Sequence, residues 1–260
     1  LFSRGLGDVY KRQDTRRVDV PEFLSVMREQ LNYRPGQVTR SSGHWNPDEE
    51  LHRQCVDHST ELEVHPGHLR MTTARQPQDR VTGDESDTTV ASTRIVSMQL
   101  TKAPAQFALW QGADNLQNMR FPDLGIPCPY ILSWTVSVED QVKSQNDAFK
   151  KEQDLGKKAG TSYGKLFPGT QRAYEEWRDL RQGLASNEIA MCNVTLNLTL
   201  FTPDDDSEQQ SCELSAINVF RKNDLEISAP RFQQLRNWLG TLPFMMQEGL
   251  WEDMVHMGAT

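Results

Sequence analysis

A chain of 260 residues with 37% hydrophobic and 25% charged side chains is long enough to bury a real core. No run approaches the ~20 consecutive apolar residues of a membrane-spanning helix. A formal net charge of -8 weighs against a general polyanion-binding surface, although it leaves a local basic patch open. Four cysteines without CxxC pairing exclude a disulfide scaffold and fit buried thiols of a reducing compartment.

Residues 1–13 have little periodicity and read as a tail or sequence-assembly artefact, leaving 14–260 as a single domain. Pro21 suits the first turn of a helix carrying Phe23, Val26, Met27 and Leu31. Asn32–Asp48 is rich in turn formers and reads as a long loop. Thr60–Val64 and His68–Thr72 alternate about Pro66-Gly67, the pattern of a hairpin. Gln76–Asp87 is polar and loops out, Val90–Leu100 is rich in strand formers, and Ala103–Met119 has helical spacing.

Two strands stand out. Tyr130, Leu132, Trp134, Val136 and Val138 share one face of the first; Cys192, Val194, Leu196, Leu198 and Leu200 share one face of the second. The opposite face of the second is polar, so the sheet is antiparallel or mixed. Between them, 139–188 reads as a helical hairpin leaving the sheet. Its first helix has Val142, Phe149 and Leu155 as apolar anchors; Thr170 caps the second, with Ala173, Trp177, Leu180 and Leu184 on one stripe. Asp205–Lys222 is a helix turning Leu214, Ile217, Val219 and Phe220 inward, followed by a short strand, Leu225–Ser228. Pro230 opens a helix with Phe232, Leu235, Trp238 and Leu239, and Pro243 opens another that runs through Met257 as though a larger protein continued. The fold class is α+β: a mixed or largely antiparallel sheet with split-βαβ-like units and a projecting helical hairpin.

One stretch imitates a phosphate-binding loop: Gly160-Thr161-Ser162-Tyr163-Gly164-Lys165-Leu166. A Walker A loop needs Gly, four residues, then Gly-Lys and a magnesium-binding Ser or Thr, entered from an apolar strand. Here Ala159 and Leu166 occupy the first-glycine and hydroxyl positions, and the approach from Glu152 to Lys158 is charged and helical. His52, Cys55 and His58, followed by His65 and His68, have zinc-ligating chemistry without paired thiolates; the plainer reading is surface histidines beside a buried cysteine. Asp204-Asp205-Asp206 is explained by a helix N-terminus. Lys143, Lys150, Lys151, Lys157, Lys158 and Lys165 could touch phosphate, but Asp147, Glu152 and Asp154 interleave as on a solvated helix face.

Asp140 to Lys143, Lys158 to Lys165 with Phe167-Pro168, Glu176-Trp177 with Leu180-Arg181, Asn218 to Asn223, Ser228 to Phe232 and Leu242 to Met245 occur in an order and spacing that resemble the TraC family of F-type conjugative type IV secretion systems. A weaker likeness runs from Asp14 to Thr260 and includes Gln54-Cys55-Val56 and Ala108-Leu109-Trp110. The resemblance implies part of an oligomeric, cytoplasmic assembly ATPase at the inner face of the inner membrane. Its accessory domain would begin before Asp14 and its Walker motifs would lie beyond Thr260. No catalytic residue, metal ligand or cofactor contact of the family falls on this chain, and Lys158–Lys165 belongs to the accessory region.

The expectation is therefore a non-catalytic accessory and docking fragment that positions the motor for pilus assembly and secretion, without a cofactor. Its implied partners are inner-membrane components of the secretion system, neighbouring TraC-like subunits and the motor domain of the same protein. Lys143, Lys150, Lys157, Lys158, Lys165, Trp177, Leu180 and Leu184 form the candidate interaction surface. The alternatives are a nucleic-acid-contacting module using Lys143 to Lys165, opposed by net acidity and the lack of interleaved aromatics, and a metal-dependent domain at His52, Cys55 and His58.

Overall fold

The computed structural model describes residues 18–34, 45–73, 91–104, 125–167, 169–243 and 255–259, with the backbone alone for Tyr163, Lys165 and 255–259. Helices α1 (Val20–Leu31) and α2 (Leu51–Cys55) precede strands β1 (Thr60–Val64), β2 (Leu69–Thr73), β3 (Ala91–Lys102) and β4 (Tyr130–Val138). Helices α3 (Gln141–Ala159), α4 (Ser162–Leu166) and α5 (Gly169–Ala185) then lead to β5 (Ala190–Pro203). The rest is α6 (Asp206–Arg221), β6 (Glu226–Ser228), α7 (Gln234–Leu239) and β7 (Val255–Ala259). Among the described residues the strand path is β1-β2-β3-β5-β4, with β6 on β3 and β7 on β5. The β4–β5, β5–β7 and β3–β6 pairings are antiparallel, the α+β arrangement expected from the alternating strands. The helix expected over Ala103–Met119 lies outside the described residues from position 105.

The described residues fall into two compact units, drawn from Leu1–Glu63 with Met71–Thr93 and from Val64–Arg70 with Arg94–Thr260. In the first unit, Pro21 occupies the opening turn of α1 and Leu24 is its buried residue. Asn32, just past the end of α1, is buried and uses its whole side chain. Its amide donates to the carbonyls of Arg28 at 2.9 Å and Cys55 at 2.8 Å, and its oxygen accepts from the Asp57 N–H at 2.8 Å and the Thr60 hydroxyl at 2.9 Å. Gln54 does similar work around α2, donating to the Asn46 and Glu49 carbonyls and accepting from the Asn46 N–H. Two buried amides thus supply partners to chain that no regular ladder satisfies.

The second unit is organised by strand alternation. Even-numbered residues of β3 (Val96, Met98, Leu100) and β5 (Leu196, Leu198, Leu200) form one buried apolar layer with Tyr130, Leu132 and Trp134 of β4 packed against it. The register runs unbroken from Tyr130↔Leu200 to Val138↔Cys192. Helix α6 closes this layer through Cys212, Ala216, Val219 and Phe220. Leu214, expected inward, is 56% exposed: its place in the helical turn lies opposite Cys212 and Ala216, the small residues that let α6 approach the sheet. At the end of α6, Asp224 takes a left-handed φ of 56° while the Leu225 N–H reaches the Phe220 carbonyl and the Asp224 N–H reaches that of Arg221. This Schellman-type stop buries Leu225 with Phe220 and turns the chain into β6.

The opposite face is polar yet buried. Ser97 and Thr199 hydroxyls meet at 3.0 Å across β3 and β5. The Ser97 N–H donates to the Gln234 side-chain oxygen at 2.7 Å, and the Gln234 amide donates back to the Ser97 carbonyl at 3.2 Å and to that of Pro230 at 2.9 Å. A glutamine on α7 therefore stands in for a neighbouring strand just before the β6 pairing begins at Gln99↔Ser228. Arg94 also ties β3 to the β5–α6 junction, donating to Asp204 at 2.7 Å, to Asp206, and to Gln209 at 3.1 Å, while Arg70 of β2 holds the other Asp204 oxygen at 2.7 Å.

Two expectations at the C-terminal side are corrected. The helix expected from Pro230 begins only at Gln234, because Phe232 adopts φ 65° and is 81% exposed, with its N–H donating to the Pro66 carbonyl at 2.8 Å. The final helix expected through Met257 is instead the strand β7 over Val255–Ala259, which pairs with β5 from Val194↔Val255 to Ala190↔Ala259; Phe244–Met254 lies outside the described residues.

Gln234→Leu keeps the volume of the side chain but leaves the buried Ser97 N–H without an acceptor, so it is expected to destabilise by about 3 kcal/mol in urea titration. A loss below about 1 kcal/mol would show that another group replaces the amide. Asp205 caps α6, accepting from the Ser207 hydroxyl and from the Ser207 and Glu208 N–H groups; the Ser207 hydroxyl bond comes first in holding its pKa below the ordinary carboxylate value. Its contribution is thus complete above about pH 4 and fades as pH falls through the lowered value. Asp205→Asn keeps a capping side chain, so thermal melts should show an unchanged neutral midpoint and a shallower decline than the parent as pH falls below about 4.

Candidate functional site

The region between β4 and β5 is built as two antiparallel helices. Asp140 starts α3, its carboxylate accepting from the Lys143 N–H at 2.8 Å. Small residues face inward: Ser144 and Ala148 are buried on α3. Gln141 and Gln145 both donate to the Leu184 carbonyl near the end of α5 at 2.9 Å, and Arg181 pairs with Glu152. Gly156 lets the helices close, since a Cβ there would lie 3.1 Å from the Tyr174 ring. The α5 terminus is a second Schellman-type stop, with Asn187 at φ 58° and the Glu188 N–H on the Gly183 carbonyl at 3.0 Å. A Cβ on Gly183 would lie 2.3 Å from the end of the Ile189 side chain, which would have to move where the chain folds back into β5.

The tip of this pair is the loop that imitates a phosphate site. Three of its backbone donors are already taken. Gly160 N–H donates to the Gly156 carbonyl at 3.1 Å, Thr161 N–H to that of Lys158 at 3.2 Å and Gly164 N–H to that of Thr161 at 3.1 Å. The Thr161 hydroxyl also donates to Lys158, at 2.8 Å. Gly164 is a packing residue: a Cβ would sit 2.4 Å from the Ala159 carbonyl oxygen, so only glycine lets α4 fold back onto the end of α3. A phosphate cradle needs unpaired N–H groups converging on the anion after a strand. This tip has donors paired internally, and a 19-residue helix feeds it.

The candidate surface residues divide by position. Lys143, Lys150, Lys157 and Lys158 are exposed on α3, and the first three recur every seven residues on one side of the helix. Lys150 lies 3.6 Å from Asp147 on the same side. The Lys165 side chain is outside the described residues. Trp177 and Leu180 are half-buried, whereas Leu184 is wholly buried and belongs to the root of the helical pair. Val142 and Phe149, read from sequence as anchors, are 65% and 48% exposed; the small residues Ser144 and Ala148 occupy the interior, where the close helix contact leaves no space for them. With Leu166 and Phe167 at the tip, they leave apolar side chains exposed along the helical pair.

Over residues 12–246 the chain matches the family model described as TraC protein. The chain belongs to the TraC family. It is 35% identical over 244 residues to Protein TraC of Escherichia coli (strain K12), an alignment covering 94% of this chain and 27% of that protein. The chain thus spans about a quarter of the length of its TraC relative, and the matched region includes the whole helical pair.

The other candidate ligands are dispersed. His52 is exposed and 3.3 Å from the Glu50 carboxylate, Cys55 is buried, and His58 is exposed. Burial raises the Cys55 pKa, with Arg28 opposing. His65 and His68 stack at 4.8 Å across the β1–β2 turn. Among the described residues no group of three or more His, Cys, Asp or Glu side chains is placed to hold a metal ion. No helix among them is long and apolar enough to cross a membrane.

Gly164→Ala distinguishes a packing glycine from a phosphate-loop glycine. It is expected to destabilise by about 2 kcal/mol in chemical unfolding, because the new methyl must displace α4 from the Ala159 carbonyl. An unchanged unfolding midpoint would mean that the tip is not packed in this way.

Proposed function

We propose that this TraC-family chain is a non-catalytic accessory and docking part of a conjugative transfer ATPase, positioning a motor that resides in the remaining length of such a protein. The observation carrying this reading is the closed tip, where the N–H groups of Gly160, Thr161 and Gly164 are consumed by carbonyls of the same helical pair. Ala159 and Leu166 stand at the positions where Gly and Ser or Thr are needed, so the pattern that holds phosphate and magnesium in a Walker A loop is not met there.

The docking role rests on the helical pair: a firmly packed root at Leu184 and Gly183 bears an outer surface with Val142, Phe149, Leu166 and Phe167 beside the lysine row. Exposed aromatic and aliphatic groups among charges are the composition of a protein interface. The partners that fit are inner-membrane components of a type IV secretion system, adjacent TraC-like subunits and the motor itself. The corresponding location is the cytoplasmic side, peripheral to the inner membrane.

Nucleotide binding and hydrolysis, measured on this chain and on one extended through the rest of a TraC protein, test the reading. The extended protein alone should hydrolyse ATP. Saturable ATP binding by the short chain, abolished by Lys165→Ala, would sink it. Docking is read separately: Phe149→Glu in the full-length protein should leave the melting temperature within a few degrees and reduce partner affinity roughly tenfold or more, seen as lost pilus assembly. Wild-type assembly by that variant would remove Phe149 from the docking surface.

A further inference from the structure

The strand path ends at β4, and among the described residues only β5 pairs with it. Which backbone groups face its outer side follows from two bonds that continue the ladder. The Phe201 N–H donates to the Pro129 carbonyl and the Glu139 N–H to the Met191 carbonyl, both at 2.9 Å. Hydrogen-bonded pairs alternate along an antiparallel ladder, so the odd-numbered residues of β4 turn their N–H and C=O groups to β5. The backbone groups of Leu132, Val136 and Val138 therefore point away from it. Sheet edges are ordinarily blunted by shortness, charge, proline or a bulge. β4 has none of these: it runs nine residues, Tyr130–Val138, without a charged residue or proline, and its register with β5 is unbroken. Val136, Ser137 and Val138 are also exposed. The strand at the other end of the path is blunted, since β1 has five residues and two of them are Glu61 and Glu63.

We propose that the outer edge of β4 is a subunit interface, on which a second copy of this chain lays its own β4 antiparallel across a two-fold axis. A strand edge is satisfied by another strand, and the sequence of β4 suits itself. An axis through Thr135 sets outward-bonding residues opposite one another, as an antiparallel ladder requires. Leu132 then meets Val138 of the other copy and Trp134 meets Val136, apolar against apolar on one face. On the other face Ser133 meets Ser137 and Thr135 meets Thr135, hydroxyl against hydroxyl. No like charges are brought together, whereas the same operation on β1 would set Glu61 and Glu63 against each other. The pairing is isologous and closes at two copies. It rests on the adjacent-subunit part of the proposed function and gives that part a surface. The two fail separately, because self-association is read on this chain alone and docking through Phe149 on pilus assembly by the full-length protein.

The test is sedimentation equilibrium of the native 260-residue chain across the micromolar range, with amide hydrogen exchange followed residue by residue in dilute and concentrated samples. The mass should rise with concentration to twice that of one chain, and the Leu132, Val136 and Val138 amides should slow only where the dimer forms. Val136→Pro removes an N–H that the β4–β5 ladder does not use. It is expected to leave the chain folded and to weaken association roughly tenfold or more, one donor being lost from each copy. Val138→Lys keeps every backbone donor and sets a charge against Leu132 of the other copy, so it should weaken association as well and decides the matter if the proline variant does not fold. A single-chain mass throughout overturns the proposal, as does a dimer that the folded variants leave intact or one whose slowed amides lie elsewhere. Slow exchange of the same three amides in the dilute monomer equally overturns it, since another part of the chain would then hold the edge.

Discussion

The second unit depends on one packing constraint: alternate residues of β3 and β5 must stay on the same side of the sheet, covered by α6. Val96, Met98 and Leu100 meet Leu196, Leu198 and Leu200 there, and Phe220 and Val219 close over them. Each such side chain contributes about 1.5–3 kcal/mol on burial, and a one-residue slip of either strand would turn the whole set to the opposite face. That opposite face holds Ser97, Asn197 and Thr199, all buried. The register is therefore enforced from both sides, by apolar burial beneath α6 and by hydrogen bonding beneath α7. Because β4 pairs with β5 without a break, the same register fixes where α3 departs and, through Gly183 and Ile189, where α5 returns.

Much of this was legible because the relevant signals are local. The period of two in Tyr130–Val138 and Ala190–Pro203 identified both strands, and Pro21 and Asp205 marked helix starts that lie within a residue or so of those observed. What was missed depends on distant partners. Val255–Ala259 becomes a strand because β5 offers an edge at Ala190–Val194, information absent from its own residues. Gln234 looks like an ordinary helix-surface glutamine until Ser97, 137 residues earlier, is known to need an acceptor and a donor. Leu214 and the pair Val142 and Phe149 misled for one reason: inward positions went to smaller neighbours because the elements approach too closely for large ones.

The tip of the helical pair shows how residue types can coincide without sharing a function. Glycines in a nucleotide-binding loop leave N–H groups bare so that phosphate can reach them. Gly164 serves the reverse requirement, allowing two pieces of backbone to approach until their own donors are satisfied. The composition is similar and the consequence is different: one loop leaves its N–H groups for a ligand, the other spends those of Gly160, Thr161 and Gly164 on its own carbonyls. The match to the TraC family runs through this tip.

Phe232 sets chain stability against chemical identity. Its backbone is held in the left-handed region, which costs a residue with a β-carbon about 1–2 kcal/mol, while its ring projects into solvent and regains almost none of that by burial. Glycine would relax the turn and erase the aromatic; asparagine or aspartate, as at Asn187 and Asp224, would ease the strain and put a polar group in its place. A relaxed turn and an exposed ring at this place are therefore alternatives, and this chain carries the ring at the expense of the turn.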